Sequence, residues 1–166
     1  MPPVTAIALS VMQVLSSTSR ELLIRIARET LEKFATTAET PAFHFEDAAL
    51  LKRMACFVTL KKNGQLRGCI GTTKTDRPLF EQVIELTKAA AFHDPRFGPV
   101  RPEELIETQI EISILSPLEK IGAANQLEVV RHGIFFEARR TYGSVSPRGG
   151  SGDGMDSRRN DKKLCA

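Results

Sequence analysis

Apolar residues recur at helical spacing between residues 18 and 34 and form one stripe. Thr18 and Glu21 stand three residues apart where the stripe begins, which is the S/T-x-x-E pattern of a capping box. The sequence therefore predicts a helix that begins at Thr18 and packs one face on a core. The stripe consists of Leu22, Leu23, Ile26, Ala27, Leu31 and Phe34.

Two runs of strand-forming residues flank the dipeptide Asn63-Gly64. Asn-Gly is a strong hairpin signal, because a type I′ turn needs positive φ at both central residues. Counting outward from this turn pairs Val58 with Cys69. In that register Cys56, Arg67 and Cys69 share one face of the hairpin, although a slip of one residue would exchange the pairings.

The rest of the pattern alternates between helical and extended segments. It predicts a second helix over residues 77–92 with Asp76 as its N-cap, because apolar residues recur there at helical spacing. Helices and strands are mixed without a regular βαβ order, so we expect an α+β fold. The other predicted elements are a short helix over 48–54, a helical turn over 101–105, and strands over 108–115 and 133–138.

Composition places the chain among globular proteins, with 42% hydrophobic and 26% charged residues. No apolar run approaches the roughly 18 residues of a membrane span. The first 15 residues lack a basic start, so we interpret them as a terminal strand or helix rather than a signal peptide. Three cysteines without paired spacing favour a reducing compartment, and we expect a cytoplasmic protein with free thiols.

The formal net charge of +3 is concentrated at the C-terminal end. Residues 139–166 hold seven Lys/Arg and three Asp, a net charge of +4, which leaves −1 for the first 138 residues. A nucleic-acid-binding protein usually carries a basic face on its folded part. This balance, with one Tyr and no Trp in the chain, argues against nucleic acid as a partner.

The segment LRGCIG, residues 66–71, is the first candidate site. A guanidinium two positions from a thiol can stabilise thiolate, which would make Cys69 a nucleophile beside Arg67. Gly68 and Gly71 favour this interpretation, because glycine in a strand often marks close approach to the backbone. The alternative is that Cys69 is a small core residue. Cys56 would lie diagonally across the same face, too far from Cys69 for a disulfide.

The segment FHDPRF, residues 92–97, follows the second helix and is the other candidate. His93 and Asp94 are acid/base types, and Arg96 can bind an anion. The alternative is a capped helix end with a surface salt bridge. The scattered histidines match no metal motif, so we predict no metal site.

Four stretches of the sequence closely resemble the AMMECR domain family, also called AmmeMemoRadiSam system protein A. The resemblance runs from about Ser17 to Ala138, and LRGCIG is the hallmark of the family. The stretches are FVTLKKNGQLRGCIGT, PLFEQVIELTKAAAFHDPRF, PEELIETQIEISILSP and HGIFFEA.

The resemblance implies a two-lobed α+β domain whose mixed, largely antiparallel sheets and flanking helices surround a cleft. It assigns LRGCIG and the D-P-R-F segment to that cleft, with Arg67 and Cys69 as site residues. Memo-type and radical SAM proteins are the partners it implies. We expect Cys69, Asp94 and His93 to be catalytic, and Arg67, Gly68, Gly71 and Arg96 to bind the substrate.

Two functions are compatible with this resemblance. The first is an enzyme or enzyme subunit that acts on a small anionic metabolite, with no cofactor indicated by the sequence. The second is a nucleotide- or RNA-binding module without catalysis. Steep loss of binding with rising salt would mark the second, because phosphate contacts release counterions.

The last 28 residues depart from the family pattern. The family continues with G-x-F-L-P-[QE]-V and A-V-E-x-G-W, whereas residues 139–166 are rich in Gly, Ser and Arg, a composition typical of disorder. The codons of Met155-Asp156 read one base later give tryptophan, and residues 145–149 can then encode Phe-Leu-Pro-Glu-Val. We therefore expect an N-terminal segment (1–16), an AMMECR-like domain (17–138) and a disordered tail (139–166) that is out of frame after a one-base shift near Gly143.

Overall fold

The computed structural model of the protein describes residues 5–10, 15–116, 119–121, 132–138 and 141–145, with side chains described for 15–116. Its strands form two antiparallel sheets, ordered β5–β1–β6–β7 and β3–β2–β4. Together with the helices they confirm the predicted α+β class. In chain order the elements are β1 (Thr5–Ser10), α1 (Ser17–Thr37), β2 (Cys56–Lys62), β3 (Gln65–Thr72), α2 (Leu79–Phe92), a 3-10 helix (Pro102–Glu107), β4 (Thr108–Ile114), β5 (Glu119–Ile121), β6 (His132–Ala138) and β7 (Thr141–Val145).

The hydrophobic core lies between the two helices and one face of the three-stranded sheet. Both predicted helical stripes supply it, with Ile26 and Leu31 of α1 and Leu79 and Val83 of α2 fully buried. The sheet contributes the inner faces of β2, β3 and β4. The residues of this inner face in the core are Cys56, Val58, Leu60, Ile70 and Ile114.

Both helices begin at a different residue from the one predicted. The N-cap of α1 is Ser16, whose Oγ accepts a 3.0 Å hydrogen bond from the Ser19 amide, so the predicted capping box at Thr18 is wrong. The side chain of Ser16 satisfies the exposed first-turn amide before Thr18 is reached. Helix α2 begins at Leu79 after Pro78, and Asp76 does not cap it.

The predicted short helix over 48–54 is a turn instead. Asp47 explains the difference, because its Oδ1 accepts from the Ala49 amide and its carbonyl accepts from the amides of Leu50 and Leu51. Such local side-chain bonds compete with helix formation. The chain then becomes extended and enters β2 at Cys56.

The hairpin between β2 and β3 turns where predicted, with φ of 52° at Asn63 and 75° at Gly64. A bulge between Leu60 and Lys61 then shifts the register by one residue, so Leu60 pairs with Gly68 and Thr59 pairs with Cys69. The predicted pairing of Val58 with Cys69 is therefore wrong.

Because side chains alternate along a strand, the shift reverses the faces. Cys56 lies in the core, whereas Cys69 packs with Phe57 and Leu115 on the opposite face of the sheet.

The four-stranded sheet reaches beyond the predicted domain of residues 17–138. Strand β1 precedes that range and pairs with β6, in line with the strand interpretation of the N-terminal segment. Strand β7 follows it, also pairs with β6, and joins Val145 to Ile134. Residues 141–145 are therefore a strand, which corrects the prediction of disorder there. Thr141, Tyr142 and Val145 have high β-propensity and favour this strand. Residues 146–166 of the predicted tail lie outside the described residues.

Candidate functional site

Arg67 ties β3 to the segment that follows α2. Its Nε and Nη2 donate to the two carboxylate oxygens of Glu104, both at 3.0 Å. Its Nη1 donates to the carbonyl of Gly98 at 3.0 Å, and Nη2 also donates to that of Pro99 at 3.1 Å. The side chain is only 16% exposed. A bidentate carboxylate and two carbonyls thus fix the guanidinium in place.

Glu104 is the centre of a small charge network. Its amide donates to the Arg101 carbonyl and its Oε2 accepts from the Arg101 amide, both at 3.0 Å. Lys62 Nζ lies 3.5 Å from Glu104 Oε1 and 3.2 Å from a Glu107 oxygen. Hydrogen bonds from Arg67, followed by the one from the Arg101 amide, lower the pKa of Glu104 to about 2. Glu104 is therefore a fixed anion at neutral pH.

A second cluster joins Cys69 to the end of α2. The Cys69 amide donates to Asp94 Oδ2 at 2.9 Å, and Arg96 Nη2 donates to the Cys69 carbonyl at 3.0 Å. Arg96 also pairs with Asp94 directly, at 2.8 Å from Nη2 and 3.0 Å from Nε. The Asp94 side chain is 2% exposed. A salt bridge does lie at this helix end, but its Asp94 partner is buried, whereas the alternative weighed for this segment was a surface salt bridge.

The environment of Asp94 keeps it ionised. Burial has the largest effect and raises the pKa of its carboxyl, but the hydrogen bonds from Arg96 and the Cys69 amide together outweigh it, so the pKa lies below its ordinary value. A carboxylate bonded in this way holds the backbone of β3 and is a poor proton acceptor.

Packing accounts for the two glycines of the hallmark segment. A Cβ at Gly68 would lie 2.1 Å from the Ala90 carbonyl oxygen of α2, and one at Gly71 would lie 2.0 Å from the Phe57 ring. The backbone is approached closely, as glycine predicts. A helix and an aromatic ring make these approaches, so packing within the protein is enough to require both glycines.

The Arg67 guanidinium bonds to groups other than the Cys69 thiol, contrary to the predicted pair. The bulge takes Arg67 out of the regular register, and its guanidinium is directed to Glu104, Gly98 and Pro99. Thr59 Oγ1 lies 3.1 Å from Cys69 Sγ. Cys69 is also disulfide-bonded, so the expected free thiol is wrong there. Cys56 is free, as expected, and burial raises its pKa to about 12.

An open groove of about 690 Å³ lies beside Arg67. Arg67 is the one predicted site residue that lines it. Cys69, Asp94 and Arg96 form the separate cluster described above. His93 is exposed and caps the C-terminus of α2. The residues lining the groove are Lys62, Arg67, Gly98, Pro99, Arg101, Glu103 and Glu104.

Sequence reasoning missed Lys62, Arg101, Glu103 and Glu104. The segment RPEEL was interpreted only as a helical turn, although it places a cation and two carboxylates within four residues. That charge pattern was the available signal. Its meaning depends on Arg67, which lies 37 residues away from Glu104 in the chain.

The described part of the chain offers neither a metal-binding cluster nor a membrane-spanning helix. It contains no group of three or more His, Cys, Asp or Glu side chains arranged to hold a metal ion. None of its helices combines the length and apolar character needed to cross a membrane.

Comparison with known proteins gives a family match over residues 24–163, described as AMMECR1. The chain belongs to the AMMECR1 family. Protein MK0488 of Methanopyrus kandleri is 34% identical over 145 residues, which cover 82% of this chain and 70% of that protein. Protein TK0174 of Thermococcus kodakarensis is 36% identical over 143 residues, covering 77% of this chain and 68% of that protein.

A solved structure supports the same assignment. The crystal structure of uncharacterized protein PH0010 from Pyrococcus horikoshii matches with a TM-score of 0.76 and 30% identity, covering 81% of this chain and 71% of that one. The AMMECR1 match reaches residue 163 and so includes most of the segment predicted to depart from the family.

Proposed function

We propose that this AMMECR1-family protein binds a small anionic metabolite in the groove beside Arg67. It would act as an enzyme subunit together with Memo-type and radical SAM partners. The observation that carries the ligand proposal is the groove itself, with three cations among its seven lining residues. The partners rest on the family resemblance alone.

Arg101 is the cation best placed to receive the anion. Arg67 is bonded to Glu104, and Lys62 is shared between Glu104 and Glu107. Within the described residues, no carboxylate lies within ion-pair distance of the Arg101 guanidinium. The Arg101 amide donates to Glu104 Oε2, and the Arg101 carbonyl accepts from the Glu104 amide. These two bonds fix the backbone of Arg101 and therefore the point from which its side chain extends. A planar guanidinium suits a carboxylate or phosphate.

The two glutamates of the groove favour a small anion over a nucleic acid. Glu103 and Glu104 lie among the cations, and Glu104 stays ionised because of its low pKa. Nucleic acid presents a line of phosphates and usually meets a continuous basic surface. A small anion needs only one guanidinium, which Arg101 can supply.

Among the described residues, the groove supplies binding groups but no nucleophile. The lining residues that the structure describes include no thiol, imidazole or hydroxyl side chain. Glu104 is a poor general base, because its pKa of about 2 is far below neutrality. These features favour a subunit that holds the metabolite while a partner supplies the chemistry.

A thermal-shift titration with inorganic phosphate, succinate, citrate and glucose 6-phosphate tests the proposal. A ligand at 100 times its Kd stabilises by about 2.7 kcal/mol, or roughly 5–10 °C for a chain of this size. We expect at least one probe to raise the Tm of the wild type and to lose this effect in Arg101→Gln.

Arg53→Gln is the matched control, because Arg53 is exposed and does not line the groove. It should respond to the probes as the wild type does. The proposal fails if the shift survives in Arg101→Gln, or if no probe stabilises the wild type.

A further inference from the structure

Strand β3 lies at one edge of the three-stranded sheet, and among the described strands it pairs only with β2. An edge strand exposes backbone donors and acceptors that can pair with another chain. Eight residues, Gln65–Thr72, make β3 long enough for such pairing. How this edge is covered therefore matters for the behaviour of the protein in solution.

At the middle of this edge, side chains bond both backbone groups of Cys69. Asp94 Oδ2 accepts from its amide at 2.9 Å, and Arg96 Nη2 donates to its carbonyl at 3.0 Å. In an antiparallel sheet, one residue of the next strand would make this same pair of bonds. A carboxylate here takes the place of a carbonyl, and a guanidinium takes the place of an amide.

The two side chains are themselves held rigidly. Asp94 is buried, and both the backbone amide and the guanidinium of Arg96 donate to it. The Arg96 guanidinium also lies 5.6 Å from the centre of the Phe97 ring. Farther along the same strand, Arg67 holds the carbonyls of Gly98 and Pro99, so the 94–99 segment follows the β3 edge.

We propose that Asp94 and Arg96 act as a surrogate strand that keeps two copies of this chain from pairing through β3. Their bonds to Cys69 occupy the position that a second copy would need. This role is independent of ligand binding in the groove, because neither residue lines it.

Removing the surrogate should open the edge. We expect the double variant Asp94→Ala with Arg96→Ala to elute from a sizing column as a dimer or larger species at concentrations where the wild type does not. Backbone amides of β3 should become more protected from hydrogen exchange as it associates. The control is Asp76→Ala with Arg77→Ala, which changes two exposed charged residues of the loop before α2. Its elution volume should match that of the wild type. A folded double variant that keeps the wild-type elution volume would overturn the proposal.

A measurement on the wild type keeps the proposal testable if the double variant does not fold. The Cys69 amide should exchange with solvent at least tenfold more slowly than the Gly64 amide in the exposed turn, because Asp94 binds it. Equal exchange at the two amides would show that the edge is open in the native protein, and the proposal would be wrong.

Discussion

At Gly68 a single backbone atom determines which side chains fit. The Ala90 carbonyl oxygen would lie 2.1 Å from an added Cβ, and this oxygen belongs to α2 and cannot swing away. Overpacking a core usually costs about 1–3 kcal/mol. We expect Gly68→Ala to lower the free energy of unfolding by this amount, measured by urea denaturation.

Gly98 offers the matched control for this substitution. A Cβ there meets nothing within 4 Å, so Gly98→Ala should change stability by less than about 0.5 kcal/mol. Equal effects of the two substitutions would contradict the packing explanation of the LRGCIG glycines.

Glycines in the sequence correctly predicted where the backbone is approached closely, but not which groups approach it. The glycines of LRGCIG indicated close contact, and the structure shows α2 and Phe57 making it. The predicted Arg67–Cys69 pair failed because the bulge at Leu60/Lys61 adds one residue to β3. Arg67 at the bulge bonds to Gly98, Pro99 and Glu104, which lie more than 30 residues away, so no local pattern around residue 67 reveals its environment.

Among the elements, the 3-10 helix is fastened to β3 by one ion pair, Arg67–Glu104. The pKa of Glu104 is lowered from 4.5 to about 2, so the folded state favours the ionised form. The resulting stabilisation is fully present above about pH 4.5 and is lost as the pH falls towards 2. We expect Glu104→Gln to reduce stability by about 1–3 kcal/mol at pH 7 and by about half as much at pH 3.

Urea denaturation at pH 7, 4 and 3 checks this expectation. Glu103→Gln is the control, because Glu103 lies in the same helix but is exposed. Its effect should be small at every pH. A difference between the wild type and Glu104→Gln that stays constant from pH 7 to pH 3 would contradict the role given to this pair.

Elements with a strong period or a specific turn could be predicted from the sequence. Helices α1 and α2, the Asn63-Gly64 turn and strand β4 all form where the pattern placed them, apart from their ends. The wrong predictions have local causes that hydrophobic periodicity does not reveal. Hydrogen bonds to Asp47 stabilise a turn where a helix was predicted, and the N-cap of α1 is Ser16 instead of Thr18.

On the scale of the whole molecule, the C-terminal segment bears on the predicted shift in the reading frame of the gene. Strand β7 lies within the segment predicted to be disordered, and the family match extends to residue 163. The one-base shift near Gly143 stays a prediction, because it rests on codons. Sequencing the gene across residues 139–166 should reveal the shift, and a coding sequence confirmed without it would reject the idea.

The central claim is that Arg101 and the groove receive the ligand, while Cys69, Asp94 and Arg96 hold β3 in place. The most direct test is a ¹⁵N–¹H NMR titration of the wild type with inorganic phosphate and succinate. We expect saturable shifts at the amides of Gly98, Arg101, Glu103 and Glu104 that disappear in Arg101→Gln. Saturable shifts centred on Cys69, His93 and Asp94, with none at the groove, would contradict the central claim.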